Sequence, residues 1–265
     1  MMLEGNLLKM NSETGKPVQY SLPIGSSCLP LNLLLGKRIT LEFTGQINCI
    51  GCGKLTKTSF SQGYCYNCLQ TAPETSESVM RPELSKAHLG IARDMAWARE
   101  HDLIDHIVYL ATSSDLKVGV TRHHQIPVRW IDQGASSAIA IARTPNRHIA
   151  GIIEVWLKQF YTDKTNWREM LQNKNIAVDL EQEREKAIDL LTPELRKYAY
   201  RQTSAHTIEY PVLQYPQKVT SLSFDKSPVI SGVLTGIKGQ YLIFDDGQVL
   251  NIRKHNGYFI KAQSI

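Results

Sequence analysis

The run Ile107-Val108-Tyr109-Leu110-Ala111-Thr112-Ser113-Ser114-Asp115-Leu116-Lys117-Val118-Gly119-Val120-Thr121-Arg122 decides how the middle of the chain is read. Residues 107–111 are apolar and β-prone, Ser113-Ser114-Asp115 is turn chemistry, and residues 117–120 are β-prone again. The stretch is therefore a hairpin. After it, Pro127 sits early in a helix predicted over 127–132, and residues 137–142 form a short apolar strand or a buried turn. Over 146–160, Ile149, Ile152, Ile153, Trp156, Leu157 and Phe160 fall on one helical face. Further helices are expected over 167–173 and 179–191. Thr192-Pro193-Glu194 restarts a helix, with Thr at the cap and Pro in the first turn. On the other side of the hairpin, residues 88–101 carry a helical stripe through Leu89, Ala92, Met95 and Ala96, and Trp97 needs burial. Residues 71–87 open Thr-Ala-Pro-Glu-Thr-Ser-Glu-Ser and read as a linker.

The ends of the chain follow a different period. Residues 18–22 and 30–35 look extended, and residues 37–43 alternate, with Ile39, Leu41 and Phe43 on one side. From 208 onward, strands over 219–224, 229–237, 240–244, 248–252 and 258–262 are separated by glycine-rich turns, as in a small barrel or curled sheet. The few N-terminal strands lack partners of their own. Residues 1–45 and 206–265 are therefore expected to pack together as one β-barrel-like domain.

Four cysteines stand between these regions: Cys49-Ile50-Gly51-Cys52, twelve residues, then Cys65-Tyr66-Asn67-Cys68. Two Cys-x2-Cys pairs give four sulfurs to one ion, a donor set that suits Zn²⁺ in a closed, structural site. Iron also accepts tetrahedral sulfur. A module the size of residues 46–70 cannot build a core, so the metal supplies its folding energy. Lys54, Lys57, Tyr64 and Tyr66 decorate it, either as a nucleic-acid contact or as plain surface. Cys28 reads as an ordinary buried thiol.

The 265 residues are 42% hydrophobic and 21% charged, the balance of a globular protein. There is no run of eighteen apolar residues and no signal-peptide pattern at the N-terminus, so a cytoplasmic protein without a membrane partner is expected. Thirty Lys and Arg against 25 Asp and Glu give a net charge of +5. That mild excess permits a nucleic-acid partner. Lys117, Arg122, Arg129, Arg143 and Arg147 fall close together, with His123, His124 and His148 among them. A solvated surface explains such a run equally well.

The central motifs resemble the GIY-YIG nuclease superfamily. Ile107-Val108-Tyr109 matches its first strand at the tyrosine. Lys117-Val118-Gly119-Val120-Thr121 matches its second at the glycine and threonine, with Lys117 where most members carry tyrosine. Arg129, Glu154 and Asn166 follow in order and spacing. The likeness covers about residues 105–172. It implies an α/β core and a catalytic set of Tyr109, Lys117, Arg129, Glu154 and Asn166. It also implies a catalytic Mg²⁺ or Mn²⁺ on Glu154, and substrate contacts from Gly119, Thr121 and Arg122. Phosphodiester hydrolysis would need such a metal, a phosphate-binding guanidinium and an activated water. Simpler roles compete for each residue. Tyr109 can be a strand aromatic, Arg129 can pair with Asp132, and Glu154 can pair with Arg129 or Arg147.

Over most of its length the chain is similar to an uncharacterised bacterial family with a zinc-binding start. That family carries Lys-Val-Gly-x-Thr-Arg and Arg-Trp-Ile-Asp-Gln-Gly-Ala, which here are residues 117–122 and 129–135, and the chain also has Thr165-Asn166-Trp167. The relatives carry further cysteines where residues 81–101 have none. The expectation is an α+β protein with a zinc ribbon at 46–70 and a GIY-YIG-like core with its linker and helices within 71–205. It binds nucleic acid, with or without divalent-metal-dependent cleavage. The alternative is a non-catalytic nucleic-acid- or protein-binding module.

Overall fold

The computed structural model describes residues 2–264. In chain order the strands β1 (Met2–Asn6), β2 (Asn11–Glu13), β3 (Gln19–Ile24), β4 (Ser27–Pro30) and β5 (Arg38–Ile47) precede α1 (Tyr66–Thr71). The middle holds α2 (Glu77–Met80), α3 (Met95–His101), β6 (His106–Thr112), β7 (Leu116–Arg122), α4 (Val128–Asp132), β8 (Ser137–Thr144) and α5 (Arg147–Leu157). It continues through α6 (Trp167–Leu171), α7 (Leu180–Asp189), α8 (Pro193–Arg196) and β9 (His206–Thr207). The chain ends on β10 (Thr220–Leu222), β11 (Val229–Lys238), β12 (Tyr241–Phe244), β13 (Gln248–Asn251) and β14 (Tyr258–Ser264). Two compact units result. One is Met1–Gln70 with Ile131–Gly134 and Glu209–Ile265, and the other is Thr71–Trp130 with Ala135–Ile208.

In the first unit, strands from both ends of the chain share one sheet, in the order β1-β14-β5-β11-β12-β13-β10. The alternation in β5 is real where it was clearest: Ile39 and Leu41 are buried, while Phe43 is half-buried. The expected barrel-like closure is not found. The sheet is open, with β1 and β10 at its edges, and β2-β3-β4 form a separate small sheet. Residues 30–35 are not a strand either. Leu31–Leu34 is a 3-10 turn that buries Leu31 and Leu34, which eclipse each other at a spacing of three. Cys28 is exposed on β4, not buried.

In the second unit the sheet order is β7-β6-β8-β9. All seven residues of β6 are buried, as a continuous apolar run predicts for a strand covered on both faces. Val108, Leu110 and Val118 pack with Ile139 and Ile141 of β8 and with Ala150, Ile153 and Leu157 of α5. Asn146 caps α5, accepting from the Ile149 N–H at 3.0 Å. At Gly151 a Cβ would come within 2.1 Å of the Glu83 nitrogen, so α5 and the turn at Pro82–Leu84 approach too closely for any side chain there.

Two segments of this unit differ from their sequence reading. Residues 71–87 carry turns at Pro73–Thr75 and Pro82–Leu84 as well as α2. They are tied to α5 by Arg147, whose Nε and Nη2 donate to the Ser78 and Val79 carbonyls at 2.8 and 2.7 Å. The helix predicted over 88–101 starts only at Met95. Asp94 caps it, accepting from the Trp97 N–H at 3.0 Å. Leu89 and Ala92 consequently fall outside the helix and are exposed, and half-buried Trp97 stacks on His101 at 4.1 Å.

Candidate metal centre and cationic cluster

The sulfurs of Cys49, Cys52, Cys65 and Cys68 all lie within 4.8 Å of one another. Cys52 Sγ and Cys65 Sγ are 3.9 Å apart. A tetrahedral zinc with Zn–S of about 2.3 Å places its sulfurs about 3.8 Å apart, so the four cysteines fit a zinc site. The backbone builds two knuckles. In the first, the Gly53 N–H donates to the Cys49 carbonyl at 2.8 Å. In the second, the Leu69 N–H donates to the Cys65 carbonyl at 2.9 Å. The Ile50 N–H joins the two by donating to the Gly63 carbonyl at 2.9 Å. Gly63 has φ +135°, and a Cβ there would lie 2.8 Å from Ile50 Cδ1, so the junction requires glycine.

The sulfurs are primed unequally. Burial opposes ionisation of Cys49, but the N–H groups of Cys65, Cys52 and Gly51 hold its thiol down to about 6. The Cys65 N–H donates to Cys49 Sγ at 3.2 Å. The Cys68 thiol is pushed up to about 12 by its hydrogen bond with Cys52, then by burial and the other two sulfurs. Metal binding requires thiolates, so a cation at the four sulfurs would displace their protons.

The central residues are spread over two faces of the second unit's sheet. Tyr109 pairs with Gly119 across the hairpin, and Lys117 pairs with Ala111. With side chains alternating, Tyr109, Lys117, Gly119 and Thr121 share one face, and Val108, Leu110 and Val118 take the face covered by α5. Tyr109 is buried, and its ring stands edge-on to Trp130 at 5.8 Å. A Cβ on Gly119 would lie 2.7 Å from the Tyr109 hydroxyl oxygen, so this glycine makes room for the tyrosine ring. Thr121 is buried, 3.4 Å from Gln125 Oε1. Asn166 is exposed and caps α6, accepting from the Arg168 and Glu169 N–H groups. Asp132 does not pair with Arg129; it receives Lys9 Nζ at 2.8 Å.

Glu154 sits on α5, the helix that covers the face opposite Tyr109. It is 8% exposed and meets Lys158 Nζ at 3.4 Å, which also reaches Asp163 at 3.3 Å. Burial raises its pKa, partly opposed by Lys158. Tyr109 and Glu154 therefore do not converge. Among the described residues the four cysteines are the only cluster of three or more Cys, His, Asp or Glu side chains placed to share a metal.

The structure does gather cations. Lys117 is buried, donates to Thr165 Oγ1 at 3.0 Å, and is lowered to about 8 by burial and by the Arg129 charge. Burial also lowers the pKa of Arg122, partly opposed by Asp102, with Arg129 adding to the shift. Burial lowers Arg147 likewise, where Asp102 and Glu154 oppose and Arg122 and Arg129 add. Arg129 is the common electrostatic neighbour of the other three. Arg122 and Arg129 are both half-buried, and among the described residues neither guanidinium makes a hydrogen bond or a close ion pair.

A model of a protein family of unknown function, DUF2797, matches residues 36–260. The chain belongs to the DUF2797 family. No curated protein and no solved structure matches it. The GIY-YIG likeness of this DUF2797 chain thus rests on its short motifs alone. Among its described residues no helix is long and apolar enough to cross a membrane.

In this DUF2797 member the sequence signalled the basic run but not which residues in it lack partners. Arg143 is spent on Asp105, its Nε donating at 2.7 Å, and Arg147 on the carbonyls of 78 and 79. Asp102 escaped notice altogether. It is buried, accepts from Ser85 Oγ at 2.9 Å, and lies 3.9 Å from Arg147 Nε. Its signal was a carboxylate beside an expected helix end, which is too common to stand out.

Proposed function

We propose that this protein binds nucleic acid through its phosphate backbone, at Arg129 and its electrostatic neighbours Lys117 and Arg122, with the zinc knuckles as a folding element. The observation that supports it most is that the half-buried guanidiniums of Arg122 and Arg129 make no hydrogen bond or close ion pair among the described residues, and that Arg129 also acts on the buried Lys117. A fold seldom keeps like charges half-desolvated and unpaired, and a bound anion supplies the missing acceptors. A planar fork matches phosphate oxygens in two-point geometry. The test is binding of labelled single- and double-stranded DNA and RNA across a salt series. Affinity that falls steeply between 50 and 200 mM salt supports phosphate contacts; a flat response contradicts them.

Cleavage is the second reading. The observation in its favour is Glu154, a buried carboxylate whose charge reaches Arg147. It requires Lys158 to give way to a divalent ion and some group other than Tyr109 to position water. Incubation with Mg²⁺ or Mn²⁺ beside Glu154→Gln checks it. Cleavage that disappears in the variant supports this reading, and equal cleavage by both proteins rejects it.

A further inference from the structure

A cavity of about 410 Å³ lies within the second unit, walled by the segment from Pro73 to Asp102. Neither the zinc site nor the hairpin face uses it. Its charged lining sorts by elimination. Glu77 pairs with Arg81 at 3.1 Å. Arg93 donates to the Ala72 carbonyl and Thr75 Oγ1. Asp94 caps α3. Lys86 is the charge without a partner, and Asp102 is the buried carboxylate of this lining. Lys86 is exposed and makes no hydrogen bond or ion pair among the described residues. Asp102 is buried, with one carboxylate oxygen taken by Ser85 and the other 3.9 Å from Arg147 Nε. A carboxylate has about four lone-pair sites, so Asp102 retains acceptor capacity. Trp97 adds an aromatic wall, its ring stiffened by the stacked His101.

An aromatic platform, one carboxylate and one ammonium make a complementary set for a single nucleobase. We propose that the cavity receives a guanine base, with Trp97 stacking on the ring, Asp102 accepting from N1–H and the N2 amino group, and Lys86 donating to O6 or N7. Among the common bases guanine combines two adjacent donors with two adjacent acceptors. Adenine and cytosine present one exocyclic amino donor beside an acceptor, and uracil presents a single N–H. Stacking on an aromatic side chain serves any base, so the carboxylate and the ammonium carry the selectivity. Asp102 also stands beside the cations: its charge opposes the lowering of both Arg122 and Arg147. This deepens the nucleic-acid reading and rests on it.

The experiment titrates the full-length protein with guanosine, inosine, adenosine, cytidine and uridine 5′-monophosphates. It then uses single-stranded oligonucleotides that contain one guanine or none. Guanosine monophosphate should bind at least about tenfold more tightly than the adenosine, cytidine and uridine nucleotides, with inosine monophosphate between them, as expected for one good bidentate contact. Asp102→Asn and Lys86→Ala should each erode that preference; Lys86 is exposed, so its variant keeps the fold. Equal affinity for all five nucleotides, or a guanine preference untouched in both variants, overturns the pocket. If guanine-free strands still bind with salt dependence while no nucleotide preference exists, the pocket fails and the phosphate reading stands. If guanosine monophosphate is selected but no strand binds, the pocket stands with a free nucleotide as its ligand and the nucleic-acid reading fails.

Discussion

At Cys49 a buried sulfur is surrounded by backbone N–H groups and three further sulfurs. At Arg122 and Arg129 two half-buried guanidiniums make no hydrogen bond or close ion pair among the described residues. Both regions concentrate groups that cannot satisfy one another, and both call for a charge from outside. They differ in what the ligand does. Residues 46–70 have almost no core, so a metal there holds the segment together. The cations stand on a sheet and helices already packed around Val108, Leu110, Ile153 and Leu157, so an anion there adds binding without building the fold.

Zinc removal gives the largest expected effect. Chelation should abolish hydrogen-exchange protection across residues 46–70 while the β6–β8 strands keep theirs. Full retention of protection around the knuckles would end the distinction between the two regions. Next comes pH. Lys117 is lowered to about 8 by burial, so phosphate affinity should weaken as pH rises through that value. Stability should move the other way. Above pH 8 the folded state has released a proton that the unfolded chain still binds, so stability rises with pH until the unfolded lysine also titrates. Lys117→Arg should keep nucleic-acid affinity level between pH 7 and 9; an unchanged pH response would remove Lys117 from the site. The smallest effect belongs to Glu154. Glu154→Gln removes a negative charge near Arg147 and should leave strand affinity equal or slightly tighter. A large loss of binding would make Glu154 a ligand-bearing residue and favour the cleavage reading.

The zinc site was legible because its information is local: residue type, spacing and the flanking glycines all sit within twenty residues. The hairpin was legible for the same reason. The cationic site was only half legible. Its members come from β7 and α4, and whether an arginine is spent depends on carbonyls and carboxylates brought in by the fold, as Arg143 and Arg147 show. The guanine cavity was not legible, because residues 71–87 read as a linker and the helix over 88–101 was drawn one turn and more too long. The apparent stripe through Leu89 and Ala92 outweighed the capping signal at Asp94. Gly119 and Tyr109 show a relation that the motif did not reveal. The absence of a side chain at 119 makes room for the tyrosine ring across the hairpin.

On the proposed reading Arg122 and Arg129 hold phosphate while the knuckles hold metal. The most direct test is the doubly substituted Arg122→Ala, Arg129→Ala protein, with zinc content and the salt dependence of single-strand affinity measured on the same sample. The account predicts one zinc per chain, an unchanged melting profile for the knuckles, and a log–log salt slope shallower by about 1.4, roughly 0.7 for each lost phosphate contact. A slope equal to that of the unsubstituted protein would contradict it.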